Sequence, residues 1–301
     1  KKFTENITGS FVGIGIYMVL DENNENIVVY YPIPDSPAEK AGIKAGDIIV
    51  SVDGIEYGYD DFDIIADKIK GKEGTKVKLV IERDGKNLDF EIEREKIETN
   101  PITTDILNDD IGYLKLPSFD EGAANRFEEK VNNLIKEGAK SLIIDLRNNG
   151  GGIVDESTDI ADLFLDKGKT ILKTVDNKNN EEITSAKEKK KYDIPLIILT
   201  NENTASASEI LTGALKDNQA VTVIGEKTYG KGVIQTVITL TDGSGLKITT
   251  AEYFTPNGTE INKKGIKPDI EVELPDTIKS IYVVKQEDDT QLKRAIEELS
   301  K

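Results

Sequence analysis

Apolar residues come in brief bursts through the first third of this chain and in longer runs after it. Over residues 10–96, "SFVGIGIYMV" is an apolar segment punctuated by glycine, and "ENIVVYYPI" is a strand-like run beside it. "DSPAEKAGIKAGDIIVSVDG" predicts a short helix from about Ser36, a turn at Lys44–Gly46 and a strand over Asp47–Val52. Phe62, Ile65 and Ile69 fall at helical spacing and predict an amphipathic helix stopped by Gly71. "TKVKLVIERDGKNLDFEIER" alternates on both sides of Asp84-Gly85, the signal of a β-hairpin. These elements make one small α+β unit.

Residues 97–110, "IETNPITTDILNDD", show little periodicity and read as a connection. The longer runs follow. "IGYLKLPSF" predicts a strand, and Phe119, Ala123, Phe127, Val131, Leu134 and Ile135 mark one face of a long helix ended by Gly138. "KSLIIDLRNNGGG" is a buried-type strand running into a polar glycine turn, and "IVDESTDIADLFL" is the next helix. The charged stretch "KTVDNKNNEEITSAKEKKK" reads as an exposed excursion. "YDIPLIILTNENT" is another buried-type strand, and it delivers the chain to Ser206 and a helix carrying Ile210, Leu211, Ala214 and Leu215. Strand followed by helix, repeated, indicates an α/β core. Residues 220–274 are rich in strand patterns with a hairpin turn expected at Asp242–Gly245, and residues 276–301 close in a charged helix, "DTQLKRAIEELSK". The expected division is an N-terminal remnant (1–9), a small α+β domain (10–96), an α/β core with a β-rich C-terminal part (97–275) and a helical tail (276–301).

Composition narrows the chemistry. With 37% hydrophobic and 32% charged residues the chain can bury real cores, and a net charge of −17 argues against nucleic acid as a partner. No apolar run is long enough to span a membrane. The chain starts abruptly at "KKFTENITG", as it would where a signal or anchor segment had been removed. There is no cysteine and no histidine. Thiolate nucleophiles, His-dependent triads and the usual zinc sites are therefore excluded. No metal or other cofactor is expected, since Asp145, Asp155, Glu156 and Asp159 lack a calcium-loop spacing and read as a solvated acidic face.

Any hydroxyl nucleophile here must be activated by lysine, a carboxylate or a terminal amine. Ser206 stands three residues before Glu209, which is the spacing of a helix capping box. It also sits where a buried strand ends and a helix begins, the edge at which α/β folds place their sites and where unpaired helix N–H groups can hold an oxyanion. Cap and nucleophile are compatible readings, and Ser208 competes on the same evidence. Lys231, between glycines in "TYGKGVIQT", is the candidate base. A lysine serves as base only when neutral, and burial in an apolar site favours that form.

Two resemblances sharpen these candidates. "GIGI" at Gly13–Ile16, followed by "SPAEKAGIKAGDIIVSVDG", resembles a PDZ domain of bacterial proteases. It implies that Gly13, Ile14, Gly15 and Ile16 form the loop that takes a peptide's terminal carboxylate through backbone N–H groups, while the peptide adds a strand to the sheet edge. "NENTASASEILTGALKDN" with "VIGEKTYGKGVIQT" resembles the active-site region of the C-terminal processing peptidases, or tail-specific proteases. The likeness extends over about residues 4–275.

This second resemblance implies a core of the ClpP/crotonase type, with Ser206 as nucleophile, Lys231 as general base and Gln235 completing a triad. Ala207 and Gly151, with Gly152 as its neighbour, would supply the oxyanion hole. The implied function is a serine endopeptidase acting on proteins recognised by their free C-termini, placed outside the cytoplasm, with a homodimer through the terminal segments allowed. A catalytically silent PDZ scaffold is the alternative reading, and another hydrolase of the same core fold a further one. Gly150 stands where many relatives carry Pro, and Lys70 where many carry Arg. Lys231 and Gln235 would lie about 13 Å apart on a fully extended strand, so their long side chains must lean together or the GKG segment must bend.

Overall fold

The computed structural model describes residues 10–20, 26–33, 35–57, 61–98, 102–239, 245–275 and 288–301. The chain divides into two compact units, Lys1–Thr99 and Asn100–Lys301.

The first unit contains β1 (Ser10–Gly13), β2 (Ile16–Leu20), β3 (Ile27–Pro32), α1 (Pro37–Ala41), β4 (Ile48–Val52), β5 (Ile55–Glu56), α2 (Phe62–Ile69), β6 (Lys76–Arg83), β7 (Lys86–Glu93) and β8 (Glu95–Glu98). Its main sheet runs in the order β2-β3-β4-β6-β7, with β5 on β4, while β1 pairs with β8. One face of that sheet packs Val29, Ile49, Leu79 and Ile81 against Ile65 and Ile69 of α2. That packing explains the helical spacing of Phe62, Ile65 and Ile69. α1 starts as its sequence predicts, with Ser36 accepting the Glu39 N–H at 3.3 Å and Pro37 in the first turn. Asp84 and Gly85 both take positive φ, the backbone a two-residue hairpin requires.

The second unit contains β9 (Thr103–Leu107), β10 (Ile111–Lys115), α3 (Ala123–Lys136), β11 (Ser141–Asp145), α4 (Val154–Asp162), β12 (Thr170–Asp176), β13 (Glu181–Ser185), β14 (Leu196–Thr200), α5 (Ala207–Asp217), β15 (Thr222–Gly225), β16 (Val233–Thr239), β17 (Gly245–Phe254), β18 (Ile270–Glu271) and α6 (Thr290–Leu299). Its central sheet has the order β18-β15-β14-β11-β10-β9, parallel throughout except for the antiparallel edge β9. Both faces are covered. Leu142 and Ile144 of β11 and Ile198 of β14 pack toward α3, α4 and α5, whereas Ile143, Ile197, Leu199 and Ile224 pack against Leu292 and Ala295 of α6. A strand buried on both faces needs apolar residues at every position, hence the unbroken runs in "SLIID" and "LIILT". A second, antiparallel sheet has the order β13-β12-β17-β16.

Several expectations change. Residues 97–110 are no bare connection: they complete β8 and supply β9, a short polar edge strand whose hairpin partner is β10. The charged excursion folds as the hairpin β12–β13 and joins the second sheet through β17. Phe119 lies before α3 and forms an isolated parallel bridge with Gly152, so it belongs to the loop framework of the site. Leu292 and Ala295 of the tail helix α6 belong to the unit's own core. The turn expected at Asp242–Gly245 lies outside the described residues apart from Gly245, which opens β17.

Candidate active site

The site is built where the parallel strands end. β11 leaves the sheet into Arg147–Gly152 and β14 leaves it into Asn201–Ser206, and side-chain amides and hydroxyls join the two loops. Asn201 accepts the Asn148 N–H at 2.9 Å and donates to Asn148 Oδ1 at 2.9 Å, while the Thr204 hydroxyl reaches the Leu146 carbonyl at 2.9 Å. The Asn149 carbonyl accepts both the Ala205 N–H at 3.0 Å and the Ser208 hydroxyl at 2.9 Å.

That last bond separates the two serines. Ser208 is 0% exposed and its hydroxyl is committed to Asn149. Ser206 is only partly buried and takes φ +59° and ψ −119°, a conformation non-glycine residues rarely adopt and that costs on the order of 1–3 kcal/mol. The Glu209 N–H donates to the Ser206 carbonyl at 2.8 Å, and the Glu209 carboxylate accepts the Ser206 N–H at 2.9 Å, so Ser206 opens α5 through its backbone.

Glu209 joins the elements. It is 0% exposed, and its carboxylate accepts four hydrogen bonds. Oε1 takes the Thr228 hydroxyl at 2.5 Å and the Gly230 N–H at 2.7 Å, and Oε2 takes the Lys231 N–H at 2.8 Å and the Ser206 N–H at 2.9 Å. One oxygen therefore holds the amides of Ser206 and Lys231, which can lie no further apart than the sum of those two bonds.

The rest of the lysine loop is equally fixed. Thr228 N–H bonds the Ile266 carbonyl at 3.1 Å, Tyr229 N–H the Thr204 carbonyl at 2.9 Å, and Lys263 N–H the Gly230 carbonyl at 2.8 Å. The Tyr253 N–H takes the Gly232 carbonyl at 3.0 Å, and the Tyr253 hydroxyl donates to the Lys231 carbonyl. Lys231 itself is partly buried and precedes β16, and a register shift follows between Ile234 and Gln235. The residue skipped in that register is Thr250 of β17. The Gln235 backbone pairs with Thr249, and its side chain lies outside the described residues.

The glycine turn meets the nucleophile from the other side. A Cβ on Gly151 would stand 2.7 Å from Ser206 Cβ, 2.8 Å from the Ala205 carbonyl oxygen and 2.9 Å from Ala207 N, and φ is +100°, so only glycine fits. Ala207 is the first residue of α5 and fully buried, so its N–H belongs to the unpaired first turn of that helix. Gly151 departs from its expected role in one respect. Its N–H is donated to Asn149 Oδ1 at 2.8 Å, so it approaches Ser206 without a free donor.

Behind the turn lies a buried ion cluster. Arg147 Nη2 stands 2.7 Å from Asp145 Oδ2 and 2.8 Å from Asp289 Oδ2, and Nη1 bonds Asp289 Oδ1 at 2.9 Å and Gln291 Oε1 at 3.1 Å. The Tyr113 hydroxyl adds a 2.7 Å bond to Asp145. Burial alone would raise the Asp145 pKa, but the Arg147 charge, its hydrogen bonds and that of Tyr113 hold it below the ordinary carboxylate value. Among the described residues, no group of three or more His, Cys, Asp or Glu side chains is placed to hold a metal ion. Glu156 instead accepts the N–H groups of Gly122 and Ala124 at 2.7 Å each, at the start of α3.

In the first unit, Gly13 ends β1, Ile14 is buried, and Ile16 opens β2, which among the described residues pairs only with β3 in the sheet. The Ile14 carbonyl accepts the Ala38 N–H at 2.9 Å, and the Gly15 carbonyl accepts the Ile33 N–H at 2.9 Å and the Ser36 hydroxyl at 3.0 Å. In a planar trans peptide the following N–H points the opposite way. The Gly15 N–H therefore points away from Ala38 of α1, and the Ile16 N–H away from Ile33 and Ser36. Lys70, at the end of α2, holds its Nζ 5.0 Å from the centre of the Phe11 ring.

Residues 110–272 match peptidase family S41 and residues 28–83 match a PDZ domain. The chain belongs to peptidase family S41 and carries a PDZ domain ahead of the catalytic-type core. It is 39% identical over 284 residues to the carboxy-terminal processing protease CtpA of Bacillus subtilis (strain 168), covering 94% of this chain and 60% of that protein. It is 39% identical over 277 residues to a "Probable CtpA-like serine protease" of Staphylococcus aureus (strain COL), covering 91% of this chain and 55% of that protein. The chain thus spans about 60% or less of these relatives' length. Among solved structures, the photosystem II D1 C-terminal processing protease superposes with a TM-score of 0.55 at 33% identity, covering 91% of this chain and 76% of that one.

The sequence reading singled out neither Asn149 nor Tyr253, and it read Glu209 only as the partner in a capping box. Only the S-x-x-E spacing hinted at the last. Nothing local distinguishes a strand tyrosine or a turn asparagine that reaches another loop.

Proposed function

We propose that this chain is a serine endopeptidase with a Ser206–Lys231 dyad, cleaving proteins that its PDZ domain engages by their C-terminal residues. The observation that carries the reading is the shared Oε2 of Glu209, which holds the backbone of Ser206 and of Lys231 at one point. Neutral Lys231 Nζ takes the Ser206 hydroxyl proton as Oγ attacks the scissile carbonyl. The Ala207 N–H, with a second amide of the Gly150–Gly152 turn, holds the oxyanion. As the tetrahedral intermediate collapses, the leaving amine takes the proton from Lys231. Water, deprotonated in turn by Lys231, then releases the acyl group from Ser206. Gln235 is assigned to orienting Lys231 Nζ.

The substrate's terminal carboxylate is assigned to the Gly13–Ile16 loop, where the amides of Gly15 and Ile16 support it, and the peptide adds to the edge of β2. By analogy with the family, the site of action is outside the cytoplasm. Incubating wild type and Ser206→Ala with casein, with fragments followed by mass spectrometry, tests the proposal. Cleavage by wild type alone is expected. Equal cleavage by both would remove Ser206 from the mechanism, and no cleavage of casein or of peptides with apolar C-termini would favour a silent scaffold.

A further inference from the structure

Tyr253 stands against the loop of the base, and none of the roles assigned so far falls to it. It lies near the end of β17 and is 1% exposed, among the largest fully buried side chains of the protein. A buried phenol hydroxyl needs partners. Its single proton goes to the Lys231 carbonyl, and its own backbone N–H takes the next carbonyl, that of Gly232, at 3.0 Å. One residue thus pins the peptide groups on the C-terminal side of Lys231, complementing the Glu209 bonds on the N-terminal side. We propose that Tyr253 is a positioning residue of the catalytic centre, its hydroxyl and its backbone N–H together fixing the peptide groups that follow Lys231.

This inference rests on the reading of Ser206 as nucleophile and Lys231 as base. In a chain without histidine a tyrosine could itself compete for the part of base. Burial, and after it the charge of Glu209, push the Tyr253 pKa well above the usual phenol value. The group therefore stays protonated through the working range and serves as a donor. Glu209 of α5 bonds both the Thr228 hydroxyl and the Lys231 N–H of the lysine loop, so its carboxylate is the charged group of this corner. With its proton on the Lys231 carbonyl and its backbone N–H on that of Gly232, Tyr253 holds the backbone from which the Lys231 side chain reaches the site. Misplacement of a reacting atom by about 1 Å can cost on the order of 100-fold in rate.

The test is Tyr253→Phe in the full chain, which keeps the ring and removes one oxygen. A fluorophosphonate reports on Ser206 directly: the Oγ–P bond forms, the P–F bond breaks, fluoride leaves and the serine proton passes to the base. Expected are labelling and kcat for casein slower by roughly 10- to 100-fold, with KM unchanged within a factor of about two and the melting temperature nearly kept. Labelling at the wild-type rate would overturn the proposal while leaving the dyad standing. Failure of wild type to label at Ser206 would instead defeat the underlying reading, and the proposal with it. A pH–rate profile for Tyr253→Phe that runs parallel to wild type is expected. A profile that loses a limb would make Tyr253 a proton carrier and so overturn a positioning role. If Tyr253→Phe melts early, Tyr253→Leu separates the terms. Leu also lacks the ring, so greater instability with no further slowing supports the hydroxyl, and slowing that tracks melting refutes it.

Discussion

Replacing Glu209 by glutamine alters a single group at the point where both halves of the site are tied. The carboxylate receives four donors, two on each oxygen, in a fully buried setting. An amide of the same shape offers one oxygen and one NH2. The Thr228 hydroxyl can turn to accept from that NH2, so the amide settles with nitrogen toward Thr228 and Gly230 and oxygen toward Ser206 and Lys231. The Gly230 N–H is then orphaned at a cost of roughly 1–3 kcal/mol, and the two surviving bonds each fall from charge-assisted to neutral strength, about 1 kcal/mol apiece. The sum is about 4 kcal/mol. At 2–4 °C per kcal/mol for a unit of this size, Glu209→Gln should melt roughly 8–16 °C lower. Calorimetry in a Ser206→Ala background avoids self-cleavage during the scan. Fluorophosphonate labelling of the single variant, well below its melting temperature, should fall by about 100-fold, since one neutral acceptor now holds both residues. Melting within about 2 °C of wild type together with wild-type labelling would refute the argument that this carboxylate assembles the site.

Four further outcomes follow from the same geometry. Ser208→Ala, which loses one buried bond to the Asn149 carbonyl, should cost about 1 kcal/mol and leave Ser206 labelling intact, as intact-protein mass spectrometry would show. Gly151→Ala brings a Cβ to 2.7 Å from Ser206 Cβ, and a peptide assay should find activity lost by at least about 100-fold in a protein that still folds. Asp289→Ala removes a partner of Arg147 and the side-chain cap of α6; urea unfolding should show a loss of about 3 kcal/mol, whereas Arg147→Met, which strands two buried carboxylates, should lose more. The Asp145 pKa is depressed in the folded state, so its contribution is present above the unfolded value of about 3.9 and is lost as pH falls through the folded value. Melting temperatures should accordingly drop on acidification below about pH 4, and less steeply for Asp145→Asn.

The elements legible in the sequence are those whose partners share one physical signal. β11 and β14 announce themselves because strands covered on both faces carry apolar residues at every position. α1 is legible because Ser36, Pro37 and Gly42 each meet a local backbone requirement. β9 and the hairpin β12–β13 are not, since the edge strands β9 and β13 keep polar residues and β12 is placed in its sheet by β17, tens of residues away. The same division runs through the site. The position of Ser206 and Lys231 at a strand end and in a glycine loop is a local pattern, and a family resemblance supplied their roles. The atoms that hold them are non-local: Glu209 reaches Lys231, Asn149 reaches Ser208, and Tyr253 reaches the Lys231 carbonyl, each across 22 residues or more. Hydrophobic periodicity is silent on all three, because each side chain occupies a position that a cap, a turn or a core residue would fill equally well. It follows that the information for catalysis lies less in the motif residues than in which buried polar groups converge on them. A chain that kept Ser206, Lys231 and Gln235 but lost Glu209 or Tyr253 would still match the motif, and by the arguments above it would be a poor enzyme.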